Sequence, residues 1–449
     1  MAFEFDLITL GAGSGGVAAS RRAALHGAKV AIVEGGRVGG TCVLRGCVPK
    51  KLLMYAAQLG DGLSEARGYG WHVPAAQFDM PRWAAAKAAE TTRLEGIYRQ
   101  MLADSGVQLV EGWARLAGPN TVQVGERQLT ARHILVATGG APVRDSIPGI
   151  ADCATSDDLL DLQTLPTRAA IVGGGFIAVE FASMLARLGV HVALFYRDHH
   201  PLRGFDGMLR NAAASALQAA GVALHPGAAP QRITRDGGQF QLHLADGQVL
   251  GVPWVLNATG RRPNTTGLGL ALDARGAVRV DDQCNTAQPG VYAIGDVSNR
   301  KNLTPVAIAE GRALADRLFG PSHRLPDFSH VPSAVFMLPP LSSVGPTEEE
   351  ALAAGHRLNI FETDFRPMKQ AFIGGSERTA MKLLVDADTD RVLAVHMAGA
   401  DAPEIVQSLA VALTAGATKD HFDRTIAMHP TAGEEFVLMR QVSRSLPAA

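Results

Sequence analysis

Twice along this chain an apolar run stops at a cluster of glycines and resumes as a helix-like stretch, and nothing else in the sequence narrows the possible folds as far. Asp6 to Leu10 reads as a strand, Gly11-Ala12-Gly13-Ser14-Gly15-Gly16 opens a helix-like run to His26, and Ala28 to Glu34 reads as a second strand. That order is a β-α-β unit. Glycines 11, 13 and 16 fit the pattern that permits a tight turn, close approach of backbone to a pyrophosphate, and helix-on-strand packing, with Ser14 and Gly15 at the electropositive helix end. Glu34, 18 residues beyond Gly16, stands where a carboxylate accepts a ribose hydroxyl.

The second unit starts at Ala169, reaches Gly173-Gly174-Gly175, continues through Phe176-Ile177-Ala178 into a helix, and returns from Val190 to Tyr196. This is GxGxxA, again a dinucleotide turn. Its returning strand ends on Tyr196-Arg197-Asp198-His199-His200-Pro201-Leu202-Arg203 rather than on an acid. A carboxylate there selects NAD through the 2′-hydroxyl, whereas Arg197 and Arg203 favour the 2′-phosphate of NADPH. A solvated basic loop is the plainer alternative.

Two matching strand ends, Ile134 to Gly140 (with Thr138 and Gly139) and Val255 to Arg261, are placed to return the chain to the first unit or leave it. Gly290 to Asp296 is a further apolar strand that closes on an acid placed to meet the polar chain of a flavin. From about Val331 the pattern changes to alternating strands, then to helices at Pro403 to Ala415 and after Pro430, which suits a separate dimerisation domain. The expected architecture is α/β, with two Rossmann-like dinucleotide-binding domains, for FAD and NADPH, plus a C-terminal α+β domain. Expected boundaries are 1–140 and 263–330 for the two parts of the FAD domain, 141–262 for the NADPH domain and 331–449 for the dimerisation domain. A chain of 449 residues can bury such cores without metal or disulfide staples.

Charge bounds the partners. With 42 Lys+Arg against 43 Asp+Glu, the net charge of -1 gives no global reason to expect nucleic acid or an anionic membrane. Any acidic ligand must therefore meet a local basic site. The amino terminus shows no export signal and no stretch approaches about 18 uninterrupted apolar residues, so a cytoplasmic protein is expected. In that reducing compartment a close cysteine pair is catalytic or metal-binding rather than structural.

The four cysteines are Cys42, Cys47, Cys153 and Cys284. In a regular helix a separation of five residues holds the Cα atoms roughly 8 to 9 Å apart, beyond the limit of about 7 Å for a disulfide. Cys42 and Cys47 can therefore close only if the backbone is distorted around Gly46 or Cys42 precedes the helix. Zinc would need two more ligands, and Cys153 and Cys284 lack paired spacing, so no metal is expected. A dithiol, a flavin site and a nicotinamide site on one chain define an electron path from nicotinamide to flavin to disulfide to a substrate, which is the outline of a flavin disulfide reductase. His429, in Met428-His429-Pro430-Thr431-Ala432-Gly433-Glu434-Glu435, opens a helix start, with Glu434 near enough to orient its ring. Taken alone, such a histidine is more often structural.

Over nearly its whole length the chain resembles the pyridine-nucleotide disulfide oxidoreductases, and within them the branch that reduces glutathione disulfide. The motifs are GAGSGG, GGTCVLRGCVPKK, GGGFIAVEFAS, the Arg197/Arg203 pair, GVYAIGDV, LTPVAIAEGR and HPTAGEE. The resemblance implies that Cys42 is the interchange thiol and Cys47 the charge-transfer thiol facing the flavin. Lys50 and Glu180 would pair beside the flavin's reactive edge, Thr41, Thr304 and Asp296 would hold the flavin, and Arg261 would lie near the nicotinamide cofactor. His429 would act across a homodimer as acid/base for the leaving thiol, fixed by Glu434. Ser14, Arg21, Tyr98 and Arg312 match positions that bind glutathione disulfide. Phe176 departs from the pattern, because the residue gating the nicotinamide pocket is commonly Tyr. The resemblance is weaker to dihydrolipoamide dehydrogenases, since Val48-Pro49-Lys50-Lys51 follows the second cysteine, and Val442 to Ala449 carries none of the tail thiols of mercuric or large thioredoxin reductases. Rival readings are a reductase of a capped glutathione disulfide, a flavin NADPH oxidase, and a redox sensor without turnover.

Overall fold

The computed structural model describes residues 3–322 and 324–448. In the first unit five strands run parallel in the order Gln108–Glu111, Val30–Glu34, Phe5–Leu10, Arg127–Val136, Val291–Ala293. Leu10 stands between Val33 and Val136, which brings the ends of three strands to one edge. These strands are nearly all apolar because both faces are covered, one by helices that bring Val17, Ala23, Leu102 and Leu314 onto it, the other by an antiparallel layer that brings Val122 and Val124. The start of the Arg127–Val136 strand extends into an antiparallel meander with Thr121–Val124 and Ala114–Gly118. On one face the Ser14–Leu25 helix packs closely on Thr304–Phe319, and the contact requires small residues: a Cβ on Gly311 would lie 2.7 Å from the Gly15 carbonyl.

The second unit repeats the pattern with parallel strands in the order Ala223–Pro226, His191–Tyr196, Arg168–Val172, Val255–Asn257. Its Phe176–Arg187 helix is buried from Ala178 to Leu185. A three-stranded antiparallel layer, Arg232–Asp236, Gln239–His243 and Val249–Val252, covers part of it. Chain entry and exit run side by side as a two-stranded ribbon in which Arg261 faces Pro142 and Pro263 faces Gly140.

Beyond these lies a six-stranded antiparallel sheet in the order Ser333–Val335, Leu341–Val344, Val392–Ala398, Thr379–Asp386, Leu358–Phe365, Arg444–Leu446, packed by the Ala402–Thr414 helix. Every residue of Thr379–Asp386 is buried, including Lys382. Its Nζ donates to both carboxylate oxygens of Asp206 at 2.9 and 3.1 Å and to Glu348 at 2.7 Å, while Arg444 engages Glu348 and Glu362. Asp206 also caps the Gly207–Ala219 helix through Met208 N–H. A buried charge cluster thus joins the second unit to the last sheet, where each charge is tolerable only because it is paired. Among the described residues no helix is long and apolar enough to cross a membrane.

Candidate active site

Cys42 and Cys47 do not share one helix. Cys42 lies in the short Gly40–Leu44 helix and Cys47 begins the Cys47–Ala66 helix, with Arg45 and Gly46 breaking the path between them. A Cβ on Gly46 would stand 2.8 Å from the Thr41 carbonyl, so the break folds the chain onto itself as only glycine allows. The distortion that the five-residue spacing requires is supplied there, and the two thiols come to face the same cleft, near enough to shift each other's titration. Cys47 is pulled down to about 6, chiefly by the hydrogen bond from Cys42, with Thr304 and Lys50 adding to it. Cys42 is pushed up by the same bond.

The dithiol segment also abuts the first glycine turn. Gly39 N–H donates to Ala12 O at 2.9 Å, and a Cβ on Gly40, at φ 64°, would meet Gly13 Cα at 2.7 Å. Gly13 and Gly175 open the two dinucleotide-type helices without a side-chain cap, which leaves the first N–H groups of each helix free for an anion. Glu34 accepts from Ala12 N–H at 2.7 Å and from Gly36 N–H at 2.8 Å, bracing that turn from the second strand.

Lys50, one turn into its helix, donates to Glu180 Oε1 at 2.8 Å, and Phe336 N–H donates to the same oxygen at 2.8 Å. Lys50, Glu180 and Phe336 are drawn one from each of the three regions of the chain. Glu180 Oε2 is buried without a partner, and the Lys50 ammonium lies 4.7 Å from the centre of the Phe336 ring.

A cleft of about 1700 Å³ runs over these groups. Gly11, Gly13, Ser14, Gly15, Glu34, Thr41, both cysteines, Lys50, Thr138, Gly139, Phe176, Ile177, Glu180, Arg261, Asp296 and Thr304 all line it. Burial pushes the Asp296 carboxyl up, and Arg261 partly offsets this. Thr304 Oγ1 is 3.7 Å from Cys47 Sγ. Phe176 is 46% exposed, so its ring stands free at the wall. Gly16 and Gly173 lie off the cleft and serve packing: a Cβ on either would be 2.0 Å from Gly11 O or 2.2 Å from Ala258 O.

Ser14 stands beside Cys42 and Tyr98, whose hydroxyl is pushed up by burial. Arg21 and Arg312 sit about two turns further along the helices that Ser14 and Thr304 begin, Arg21 bonded to Ser105 Oγ at 3.0 Å and Arg312 exposed. His429 lies elsewhere. Its Nδ1 is 3.1 Å from Glu434 Oε1, its ring is 82% exposed, and it does not line the cleft that holds the cysteines of its own chain. Ile426 and Met428 beside it are uncovered at 94% and 76%. In the second unit Arg197 is exposed, whereas Arg203 is paired with Asp198.

Two wall residues escaped the sequence reading. Trp113 lies over Gly35, where a Cβ would stand 2.4 Å from the indole, and Phe336 reaches the Lys50/Glu180 pair from the last sheet. A Gly-Trp step at a strand end was the one available signal for the first; nothing local marks the second. Cys153 and Cys284 are buried apart from the pair, pushed up by burial to about 11 and about 12. Among the described residues no three potential ligands gather for a metal.

Comparison with known proteins adds relatives to this geometry. The family described as pyridine nucleotide-disulphide oxidoreductase matches residues 5–311, and the dimerisation domain of the same name matches 331–440. The chain is 47% identical to the glutathione reductase of Burkholderia cepacia, over 98% of this chain and 99% of that one. It is 44% identical to the chloroplastic/mitochondrial glutathione reductase of Pisum sativum, over 99% of this chain and 84% of that one. Among solved structures, the HOCl-induced flavoprotein disulfide reductase RclA from Escherichia coli superposes with a TM-score of 0.87 at 29% identity, covering 97% and 99% of the two chains.

Proposed function

The chain belongs to the pyridine nucleotide-disulphide oxidoreductase family, and from that premise we propose that it reduces glutathione disulfide to two glutathione molecules at the expense of NADPH, using FAD and the Cys42/Cys47 pair. The observation that carries this reading is the placing of a dithiol against a glycine turn, on the wall of a cleft that also holds the Lys50–Glu180 pair.

The residues fit the flavin. The free helix end at Gly13, the braced Glu34, and the Asp296 and Thr304 side chains would hold its polar chain, and the unpartnered Glu180 Oε2 belongs to the pair set beside its reactive edge. When bound, FAD supplies two-electron transfer between nicotinamide and the disulfide. Thr138, Gly139 and Thr41 line the same wall, and Gly175, Ile177, Arg197, Arg203 and Arg261 are assigned to NADPH on the turn that Gly173 makes possible, with Phe176 covering the nicotinamide pocket.

The thiol chemistry follows from where the proton sits. With Cys47 near 6 and Cys42 raised, the singly protonated pair keeps its proton on Cys42, so Cys42 needs a base before it can attack. Apart from Cys47, which already leaves the shared proton on Cys42, the neighbours it has within its own chain, Ser14, Thr304 and Tyr98, are not bases at neutral pH. His429 of the partner subunit, oriented by its own Glu434, supplies one, and this assigns the enzyme to a homodimer joined through the uncovered apolar side chains around Met428. Cys42 thiolate then attacks one sulfur of the substrate, and the first glutathione leaves with the proton held on that imidazole. Cys47 thiolate attacks the Cys42 sulfur, releasing the second glutathione and closing the Cys42–Cys47 bond. Ser14, Tyr98, Arg21 and Arg312 are assigned to the anionic substrate. A reducing cytoplasm, where NADPH and glutathione meet, is the compartment this chemistry suits.

The test is NADPH oxidation by the purified FAD-loaded protein with a panel of disulfides. Turnover with glutathione disulfide, lost in Cys42→Ser and in Cys47→Ser, is expected. Preference for a capped glutathione disulfide would move the substrate assignment, and NADPH consumption indifferent to any disulfide would replace it with an oxidase.

A further inference from the structure

The two arginines of the second dinucleotide site stand differently. Arg197 makes no ion pair among the described residues, whereas Arg203 donates from Nε and Nη2 to the two carboxylate oxygens of Asp198 at 2.8 and 3.0 Å. The clasp follows from how the loop is folded. Leu202 is fully buried at φ 60° and donates its N–H to Gly174 O at 2.7 Å, so residues 197–203 turn back over the glycine cluster. Arg210, from the helix that follows, donates to the carbonyls of Pro201 and His200 at 3.2 Å each and buttresses the turn. Asp198 therefore faces three cations, Arg203, Arg197 and Arg210. It is not the second unit's counterpart of Glu34: that register position, the last residue of the returning strand, is Tyr196, which is buried.

We propose that Asp198 is a specificity-determining residue of the nucleotide site, competing with the 2′-phosphate for Arg203 and holding the preference for NADPH over NADH below what two unclasped arginines would give. A 2′-phosphate gains Arg203 only by displacing a carboxylate that already satisfies two of its donors. The competition is electrostatic and exposed to solvent, so it is screened by salt. The proposal rests on the assignment of Arg197 and Arg203 to the 2′-phosphate.

Calorimetric titration of the FAD-loaded protein with adenosine 2′,5′-bisphosphate, with 5′-AMP as the reference ligand, tests it without relying on turnover. Asp198→Asn keeps the shape and removes the charge. It is expected to tighten the bisphosphate by about two- to fivefold relative to 5′-AMP, the range an exposed ion pair is worth, with the larger effect at low salt. The ratio of kcat/KM for NADPH to that for NADH should rise by the same factor. In an Arg203→Ala background the gain should fall to near unity. Unchanged binding in Asp198→Asn would overturn the proposal, and weaker binding would overturn it by making Asp198 an orienting partner for Arg203. An undiminished gain in the Arg203→Ala background would also overturn it, leaving Asp198 a plain repulsive charge. Failure of the underlying assignment looks different: the Arg197→Ala/Arg203→Ala variant would still prefer the bisphosphate.

Discussion

At the scale of single residues, the placement of one proton decides the division of labour between two sulfurs. Cys47 titrates near 6 because Cys42 donates to it, so the long-wavelength charge-transfer absorbance of Cys47 thiolate with bound flavin should be present above about pH 6 in the two-electron-reduced enzyme and fade as pH falls through that value. Cys42→Ala removes the donor and should move the midpoint up toward the ordinary thiol value of 9.0. Cys42→Ser keeps a hydroxyl in place and should move it less, while Cys47→Ser should abolish the band at every pH. A band that survives in Cys47→Ser and vanishes in Cys42→Ser would exchange the two roles.

At the scale of elements, the break between the Gly40–Leu44 and Cys47–Ala66 helices is what makes a five-residue spacing redox-competent. Gly46→Ala forces a methyl group against the Thr41 carbonyl, and overpacking of this kind costs about 1 to 3 kcal/mol. The variant should show that loss in urea unfolding, together with slower closure of the Cys42–Cys47 bond in single-turnover thiol titration. Much of this element was legible in advance, because helix geometry required either a distortion around Gly46 or a Cys42 that precedes the helix, and the structure has both. The glycine turns were legible for the same reason: a turn at φ 105° or 137°, as at Gly11 and Gly173, excludes most side chains and marks itself in sequence. What was not legible depends on contacts between distant segments. Phe336 meets Glu180 across 156 residues, and Lys382 lies inside a stretch, Ala380 to Val385, that is otherwise apolar and where nothing local reveals its partners. The Asp198–Arg203 pair was near enough in sequence to suspect, yet its formation depends on the turn at Leu202, a non-glycine residue at positive φ that no residue preference announces.

At the scale of the whole molecule, the Lys382 cluster holds the second unit against the last sheet. Lys382→Met strips Asp206 of its ammonium partner and leaves Glu348 and Glu362 with Arg444 alone, and breaking a buried pair in this way costs about 3 to 5 kcal/mol, measurable in urea. Glu348 is held at about 2, first by Arg444 and then by Lys382, against an ordinary 4.5. Its stabilising contribution is thus complete above about pH 4.5 and is lost as pH falls toward 2, so acid unfolding should begin at higher pH in Arg444→Met. The proposed placing of His429 in the partner's site predicts complementation: His429→Gln should lower disulfide turnover by about 100-fold or more, and mixed dimers of His429→Gln with Cys42→Ser chains should regain one working site. Mixed dimers no more active than either parent would place His429 and Cys42 in one chain's site or leave His429 structural. That His429 does not line the cleft holding the cysteines of its own chain also has a bearing on dilution. A folded, flavin-loaded single chain is expected to be silent toward disulfides, so the number of working sites in a sparse solution should rise with the square of chain concentration. Catalytic output would then report encounter between chains, and diluting the enzyme should switch it off well before anything unfolds.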